Sequence, residues 1–85
     1  MTTIPVRVTV ADSWDQVSLE LPAEAPLSEA KSRALALTHV RGRPDQFLVK
    51  FRGAELSDEA QSLAQAGVVP NAALIVLRRR RRPVR

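Results

Sequence analysis

Apolar residues occupy every second position in two stretches near the start of the chain. The first runs from Ile4 to Val10 and the second from Val17 to Leu21. Strict alternation of this kind is typical of a strand with one buried face and one face in water. The polar segment ADSWDQ between them predicts a turn, so we expect the two strands to pair as an antiparallel hairpin.

Between Leu27 and Val40 the spacing of apolar residues becomes that of a helix, with room for about three turns. Ser28 is placed to cap the first turn with its side chain. Gly42, followed by Pro44, predicts the end of the helix. The stripe that we expect to be buried consists of Leu27, Ala30, Ala34 and Leu37.

The second half of the chain predicts short elements. FLVKF has the composition of a strand, RGAEL has a turn at Gly53, and AALIVL is a further strand. A single helical turn is expected around Gln61–Gln65. With one long helix and four or five strands, the predicted fold class is α+β, a mixed sheet with the helix packed across one face.

The composition limits the kinds of function that the chain can have. Its 85 residues are enough for one small domain, and 45% of them are apolar, which is enough for a core. Cysteine is absent, which excludes disulfides, thiolate metal sites and thiol nucleophiles. No apolar run approaches the ~20 residues that span a bilayer, and no signal-peptide pattern opens the chain. We therefore expect a cytoplasmic, soluble protein that is a monomer on its own.

Candidate catalytic residues are few. The one histidine, His39, lies near the predicted helix end, where a solvated or dipole-favoured side chain is the expected role. The adjacent carboxylates Asp58 and Glu59 are expected to cap the short helical turn that follows them rather than to transfer protons. No ligand spacing suggests a metal, and the three separated glycines do not form a phosphate-binding loop. The sequence therefore predicts no enzyme, no cofactor and no metal site.

Three stretches of the second half carry a resemblance to a known family. They are PDQ at 44–46, VKFRGAEL at 49–56 and SLAQAGVVPNAALIVL at 62–77. In this order, after a hairpin and a helix, they resemble ubiquitin and the ubiquitin-like β-grasp proteins over about residues 4–79. The resemblance implies a β-grasp domain over residues 1–79, with a four- to five-stranded mixed sheet packed on one main helix. Residues 80–85 are then expected to be a flexible basic tail.

Two departures from that family change the expected function. Ubiquitin-type modifiers and sulfur carriers end in Gly-Gly, whereas arginines and a proline occupy the corresponding segment here, which disfavours conjugation and sulfur transfer. On the exposed face of the sheet, Lys50 matches the centre of the patch that is apolar in ubiquitin, and Ile75 and Leu77 match its flanks. A receptor selected for an apolar patch would have to bury an ammonium group there. We therefore expect a non-catalytic protein interaction module, or an accessory subunit of a larger complex, with an unidentified protein partner.

Trp14, at the predicted hairpin tip, is a further candidate for partner binding. An exposed tryptophan in a turn suits a partner anchor. Alternatively its ring folds back over the hairpin and covers backbone. The sequence leaves both interpretations open.

The end of the chain carries a dense positive charge. Residues 1–77 have seven basic and nine acidic side chains, a net of −2, while the last eight residues supply +6. Like charges in a row favour an extended, solvated segment that orders only against an anion. The alternative function is therefore nonspecific binding of a polyanion, such as nucleic acid or an acidic surface, and a merely solubilising end without a partner is the less favoured interpretation of the arginines. The predicted polyanion-binding residues are Arg78, Arg79, Arg80, Arg81, Arg82 and Arg85.

Overall fold

The computed structural model describes residues 3–79. It has one five-stranded sheet in the order β2-β1-β5-β3-β4 and one α-helix, which confirms the predicted α+β class and the mixed sheet. A single 3₁₀ turn precedes the third strand. The elements are β1 (Thr3–Val10), β2 (Asp15–Pro22), α1 (Leu27–Thr38), β3 (Phe47–Phe51), β4 (Ala54–Glu55) and β5 (Ala72–Arg78), with the 3₁₀ turn at Pro44–Gln46.

The first two strands form the predicted antiparallel hairpin, with Val6 opposite Leu19. The central pair, β1 and β5, is parallel, and Val8 lies opposite Leu74. On the other side of β5, β3 is antiparallel. The C-terminal ends of β1 and β5 therefore lie at the same end of the sheet.

The core lies between one face of the sheet and α1. Alternate residues of β1, β3 and β5 point into it, and Val8, Val10 and Phe47 are completely buried. The alternation that predicted the hairpin strands is confirmed at Leu19 and Leu21, which are also buried. Because the faces of each strand follow from the period of two, the sequence assigned these side chains correctly.

The buried side of α1 differs from the predicted stripe at its C-terminal end. The first three members of the stripe are buried as expected, but Leu37 is 56% exposed, and the prediction is wrong there. Leu35 and Lys31 are buried in its place. Both sets of positions fit a helical period, and the angle at which α1 crosses the sheet selects between them.

The start of α1 also differs from expectation. Its N-cap is Pro26, no side chain caps the first turn, and the predicted capping role of Ser28 is wrong. The backbone N–H groups of Leu27 and Ser28 donate instead to the carbonyls of Gln61 and Glu59, each at 3.0 Å. A segment distant in sequence thus satisfies the free donors of the first turn, so no local cap is needed.

The helix ends at Thr38, two residues before the predicted end at Val40. His39 has φ 58°, in the left-handed region, and its N–H donates to Ala36 O at 3.3 Å. The N–H of Val40 returns to Leu35 O at 3.2 Å. This closure is usually made with glycine in the left-handed position, and here a histidine occupies it.

The helical turn expected between β4 and β5 is present. Ala66 N–H donates to Ser62 O at 3.0 Å, and Val68 N–H closes the turn on Leu63 O at 2.9 Å. Gly67 supplies the positive φ of 83° that this closure requires. Leu63 is completely buried, and it therefore ties the long connection to the core.

Candidate functional site

The outer face of β3 and β5 brings together the three residues predicted for partner binding on the sheet. Lys50 lies opposite Ile75 in the register of the two strands, and Leu48 lies opposite Leu77. Ile75 is 44% exposed, while the other three are half-buried. We call these four residues, Leu48, Lys50, Ile75 and Leu77, the outer patch.

The backbone beneath the outer patch is held firmly. Four residues that alternate with it along the strands are at most 1% exposed and belong to the core: Phe47, Val49, Leu74 and Val76. A rotation or register shift of either strand would expose these core side chains. The outer patch is therefore a preformed surface on rigid elements.

The charge at the centre of the outer patch lacks a fixed counterion. Glu55 of β4 is the register neighbour of Lys50, but its carboxylate lies 3.6 Å from Arg79. Within residues 3–79, Lys50 forms no ion pair at 4.0 Å or less. The patch can therefore offer an apolar surface and one available ammonium group to a binding partner.

Trp14 lies in the turn between β1 and β2, whereas the outer patch lies on β3 and β5. It is 84% exposed, so of the two interpretations the structure agrees with an exposed ring. The turn is closed by Ser13 N–H to Val10 O at 3.2 Å and Trp14 N–H to Ala11 O at 3.3 Å. Trp14 has φ 58°, in the left-handed region. We call residues 11–14 the tip loop.

Arg78 is the last residue of β5, and its side chain contacts two loops and strand β3. Its guanidinium donates to the Asp12 carboxylate, with Nε at 3.0 Å and Nη2 at 2.8 Å. Nη2 also donates to Arg41 O at 3.2 Å, and the guanidinium lies 4.6 Å from the centre of the Phe47 ring. This first member of the predicted polyanion site is thus occupied by contacts within the domain.

Arg79 is also tied to the domain. Its backbone N–H donates to Gln46 O at 2.8 Å, and its Nε donates to Asp45 O at 3.1 Å. Two carboxylates lie near its guanidinium, Glu55 at 3.6 Å and Glu59 at 3.9 Å. The other predicted members of the polyanion site, Arg80, Arg81, Arg82 and Arg85, and with them the predicted flexible tail, lie outside the described residues.

Sequence reasoning missed a buried ion pair between Lys31 and Glu59. Lys31 is 2% exposed, its Nζ lies 2.5 Å from Glu59 Oε1, and it donates to Phe47 O at 3.0 Å. Lys31 stands four residues after Leu27 and four before Leu35, so a stripe drawn through all three would have found it. Glu59 therefore does not cap the following turn, whereas Asp58 does accept from Ala60 N–H at 3.2 Å.

Catalytic chemistry finds little support in the part of the chain that the structure describes. There, no three side chains among His, Cys, Asp and Glu come together in a way that could hold a metal ion. His39 is exposed and makes its contacts through its backbone. Also within residues 3–79, no helix has the length and apolar character needed to cross a membrane.

Comparison with known proteins gives similarity at the level of structure only. No family model and no curated protein matches the sequence. Among solved structures, ubiquitin of Caldiarchaeum subterraneum superposes with a TM-score of 0.77 at 17% identity, over 94% of this chain and 98% of that one. A ubiquitin-like domain of an Arabidopsis thaliana protein gives 0.77 at 16% identity, over 100% of this chain and 86% of the other.

A protein designed de novo on the basis of ubiquitin gives a TM-score of 0.78 at 16% identity, over 98% of this chain and 96% of the design. All three superpositions cover the hairpin, the helix and the last strand together, because almost the whole of each chain is included. The chain has the ubiquitin-like β-grasp fold.

Proposed function

We propose that this is a non-catalytic ubiquitin-like protein that acts as a protein interaction module, or as an accessory subunit of a larger complex. The observation that carries the proposal is the outer patch, where Ile75 is 44% exposed beside a lysine that has no ion pair within residues 3–79. An apolar side chain on a rigid strand is a favourable anchor for a partner because little conformational freedom is lost on binding.

The ammonium group of Lys50 determines which polar group the partner must contribute to the interface. Burying its ammonium group against an apolar surface costs free energy unless an acceptor or a carboxylate meets it. Glu55 is the register partner of Lys50 on β4, but its carboxylate lies 3.6 Å from Arg79. We therefore expect a partner surface with apolar side chains around at least one acidic group.

The carrier and modifier functions are disfavoured by the end of β5. Activation of a C-terminal carboxylate requires a thin chain, whereas residues 78–82, at the end of β5 and after it, are all arginine. The absence of cysteine suits a reducing compartment, so we propose a cytoplasmic location. The domain alone is proposed to be a monomer.

The proposal is tested by comparing two exposed apolar residues. Ile75→Asp places a charge in the outer patch, and Leu37→Asp does the same on the outer side of α1, where the residue is 56% exposed. Proteins captured from the source cell by the wild type and by Leu37→Asp, but not by Ile75→Asp, are candidate partners. With a purified candidate, Ile75→Asp should raise Kd by about tenfold or more.

The proposal is overturned if Ile75→Asp and Lys50→Glu both bind the purified partner as tightly as the wild type does, because the outer patch is then not the interface. Lys50→Glu should weaken binding because it repels the expected acidic group of the partner. Circular dichroism of each variant checks that the fold is retained.

A second candidate function is nonspecific polyanion binding, and the contacts of Arg78 and Arg79 reduce the number of arginines that remain for it. Because these two side chains already face Asp12, Glu55 and Glu59, four of the six terminal arginines remain for a polyanion. For double-stranded DNA, four neutralised phosphates give a log–log salt slope of about −3.6, against about −5.4 for six. A slope near −5.4, or equal binding after replacement of the four arginines by glutamine, would contradict this division of the arginines.

A further inference from the structure

The aromatic residues of the chain are two phenylalanines and Trp14, and both phenylalanines have an arginine as partner. The guanidinium of Arg78 lies 4.6 Å from the centre of the Phe47 ring, and that of Arg52 lies 5.1 Å from the centre of the Phe51 ring. A cation is attracted to the face of an aromatic ring, and tryptophan attracts it most strongly. In the part of the chain that the structure describes, no cation lies over Trp14.

Trp14 also does little for the stability of the domain. At 84%, it is the most exposed of the large apolar side chains within residues 3–79, so its ring buries little surface on folding. Its backbone has φ 58°, in the left-handed region that favours glycine. A strained position that carries a large exposed ring is a reason to look for a ligand of that ring.

The loop that presents the ring is held in place by contacts with β5. Ala11 N–H donates to Val76 O at 2.9 Å. The next residue, Asp12, accepts from Nε of Arg78 at 3.0 Å and from its Nη2 at 2.8 Å. The backbone of the tip loop is therefore fixed before a ligand arrives, and little conformational freedom is lost on binding.

A free negative charge follows the ring in the sequence. Arg78 is the ion-pair partner of Asp12, whereas the exposed Asp15 forms no ion pair at 4.0 Å or less among residues 3–79. A guanidinium can stack on an aromatic face and donate to a carboxylate at the same time. Arg78 does both, because it lies over Phe47 while it pairs with Asp12. Trp14 with Asp15 offers the same two groups to a second guanidinium.

We propose that Trp14 and Asp15 form a binding site for an arginine side chain of a partner protein. The guanidinium stacks on the indole ring, and its N–H groups donate to the carboxylate of Asp15. A purely apolar partner segment is disfavoured because it would desolvate that carboxylate without pairing it. The site lies on the turn between β1 and β2, and it does not depend on the proposed function of the outer patch, which lies on β3 and β5.

A lipid surface is the other class of ligand that an exposed tryptophan suits, because its ring favours the headgroup layer of a membrane. The carboxylates of Asp12 and Asp15 oppose this, since they are repelled by anionic lipids and lose solvation in the headgroup layer. The arginine side chain is therefore the favoured ligand, and the lipid surface is an outcome of the test.

The chain allows a direct test because it contains one tryptophan and no tyrosine, so its tryptophan fluorescence reports Trp14 alone. The probes are three blocked peptides of the form Gly-X-Gly-X-Gly, in which X is arginine, lysine or citrulline. Citrulline has nearly the shape of arginine but no charge, and lysine has the charge but no planar group. Each peptide is titrated into the full chain at constant ionic strength, and vesicles of phosphatidylcholine are titrated separately.

We expect the arginine peptide to change the emission of Trp14 with a Kd on the order of millimolar, as for one cation–π contact and one exposed ion pair. The lysine peptide should bind about threefold more weakly, and the citrulline peptide should not saturate. Asp15→Asn should raise the Kd of the arginine peptide about threefold. The matched control is Glu24→Gln, which removes the same charge at another exposed position and should leave that Kd unchanged.

Nuclear magnetic resonance locates the site independently of fluorescence. The arginine peptide should shift the indole N–H of Trp14 and the amides of residues 12–16 in a ¹H–¹⁵N spectrum. The amides of the outer patch should not shift. Shifts confined to the outer patch would overturn the assignment of the site to the tip loop.

Equal affinity for the arginine and citrulline peptides overturns the proposal, because the charge then makes no contribution. Equal affinity for arginine and lysine overturns the stacking arrangement, and wild-type affinity in Asp15→Asn overturns the role of that carboxylate. A response to vesicles without a response to the arginine peptide assigns Trp14 to a lipid surface and overturns the proposal. Far-UV circular dichroism checks that each variant retains the fold.

Discussion

The two faces of β5 differ in what they do for the molecule. Leu74 and Val76 are each 1% exposed and fill the core, whereas Ile75, between them, is 44% exposed. One face of the strand is thus buried in the core, and Ile75 on the other face is exposed to solvent. Because successive residues point to opposite faces, a partner can bind the outer set without disturbing the inner one.

The two lysines that bear on the site show the same contrast. Lys31 is buried and has Glu59 and Phe47 O as partners. Lys50, on the outer face, has no ion pair within the described range 3–79. A charge inside the domain requires a counterion from the same chain, because a buried unpaired charge is strongly destabilising. A charge on the surface is solvated by water and remains available to a group of another molecule.

The largest difference in stability is expected between truncation of an inner residue and truncation of an outer residue of β5. Leu74→Ala should lower the free energy of unfolding by about 2–5 kcal/mol because it leaves a cavity in the core. Ile75→Ala should change it by less than about 0.5 kcal/mol. Urea denaturation followed by circular dichroism measures both. Equal losses would mean that the outer face also contributes to the core.

The next effect concerns the lysines. Lys31→Met should cost about 2–4 kcal/mol because the carboxylate of Glu59, 16% exposed, loses its ammonium partner. Lys50→Met should lie within about 0.5 kcal/mol of the wild type.

A double variant identifies the cause of the Lys31 effect. In Lys31→Met with Glu59→Gln the orphaned charge is absent, so part of the lost stability should return. No recovery in guanidinium or urea titrations would show that the packing of the Lys31 stem, and not the pair, carries the stability.

The helix offers a matched pair of leucines with a slightly smaller effect. Leu35 is 5% exposed and Leu37 is 56% exposed. Leu35→Ala should cost about 2–3 kcal/mol, and Leu37→Ala less than about 0.5 kcal/mol. Thermal and chemical denaturation would contradict the observed orientation of α1 if Leu37→Ala were the more damaging change.

The smallest effect is expected at two of the four non-glycine residues that have positive φ within residues 3–79. Trp14 and His39 both have φ 58°, and glycine relieves the steric cost there. Glycine also gains freedom in the unfolded chain, which offsets part of the benefit. Each change to glycine should therefore raise the free energy of unfolding by about 0.5 kcal/mol. A loss of stability at Trp14 would mean that its ring contributes contacts to the folded state.

The control for the strained turns is glycine at a position with ordinary helical geometry. Leu37→Gly should destabilise by about 1 kcal/mol, the intrinsic helix penalty of glycine. Opposite signs at Leu37 and His39, which lie two positions apart at the end of α1, would separate backbone strain from side-chain loss.

Much of the fold was predictable because strands carry their orientation in the sequence. Alternation identified the hairpin, and the family resemblance placed Ile75 on the outer face of the sheet. The helix was less predictable. Leu35 and Leu37 both fit a helical stripe, and only contact with the sheet distinguishes them. The predicted cap by Ser28 is absent because the N–H groups of the first helical turn donate to carbonyls of a remote segment.

The candidate site was predictable in part. The outer patch follows from strand register and from the family resemblance, and its binding role stays a prediction. The exposure of Trp14 was undecided in the sequence, because a tryptophan in a turn can fold back or project. The pairing of Lys31 with Glu59 was missed, since a lysine within a helix is exposed in most proteins.

The sequence by itself determined the class of fold, the faces of the strands and the absence of thiol chemistry, because these depend on local periods and on residue types. Tertiary structure alone decided which charges meet. Arg78 reaches Asp12, 66 residues away in the chain, and Arg79 reaches Asp45 in the 3₁₀ turn and Glu55 of β4. Ion pairs depend on distances of a few ångströms between segments that are remote in sequence, and only the folded chain sets those distances.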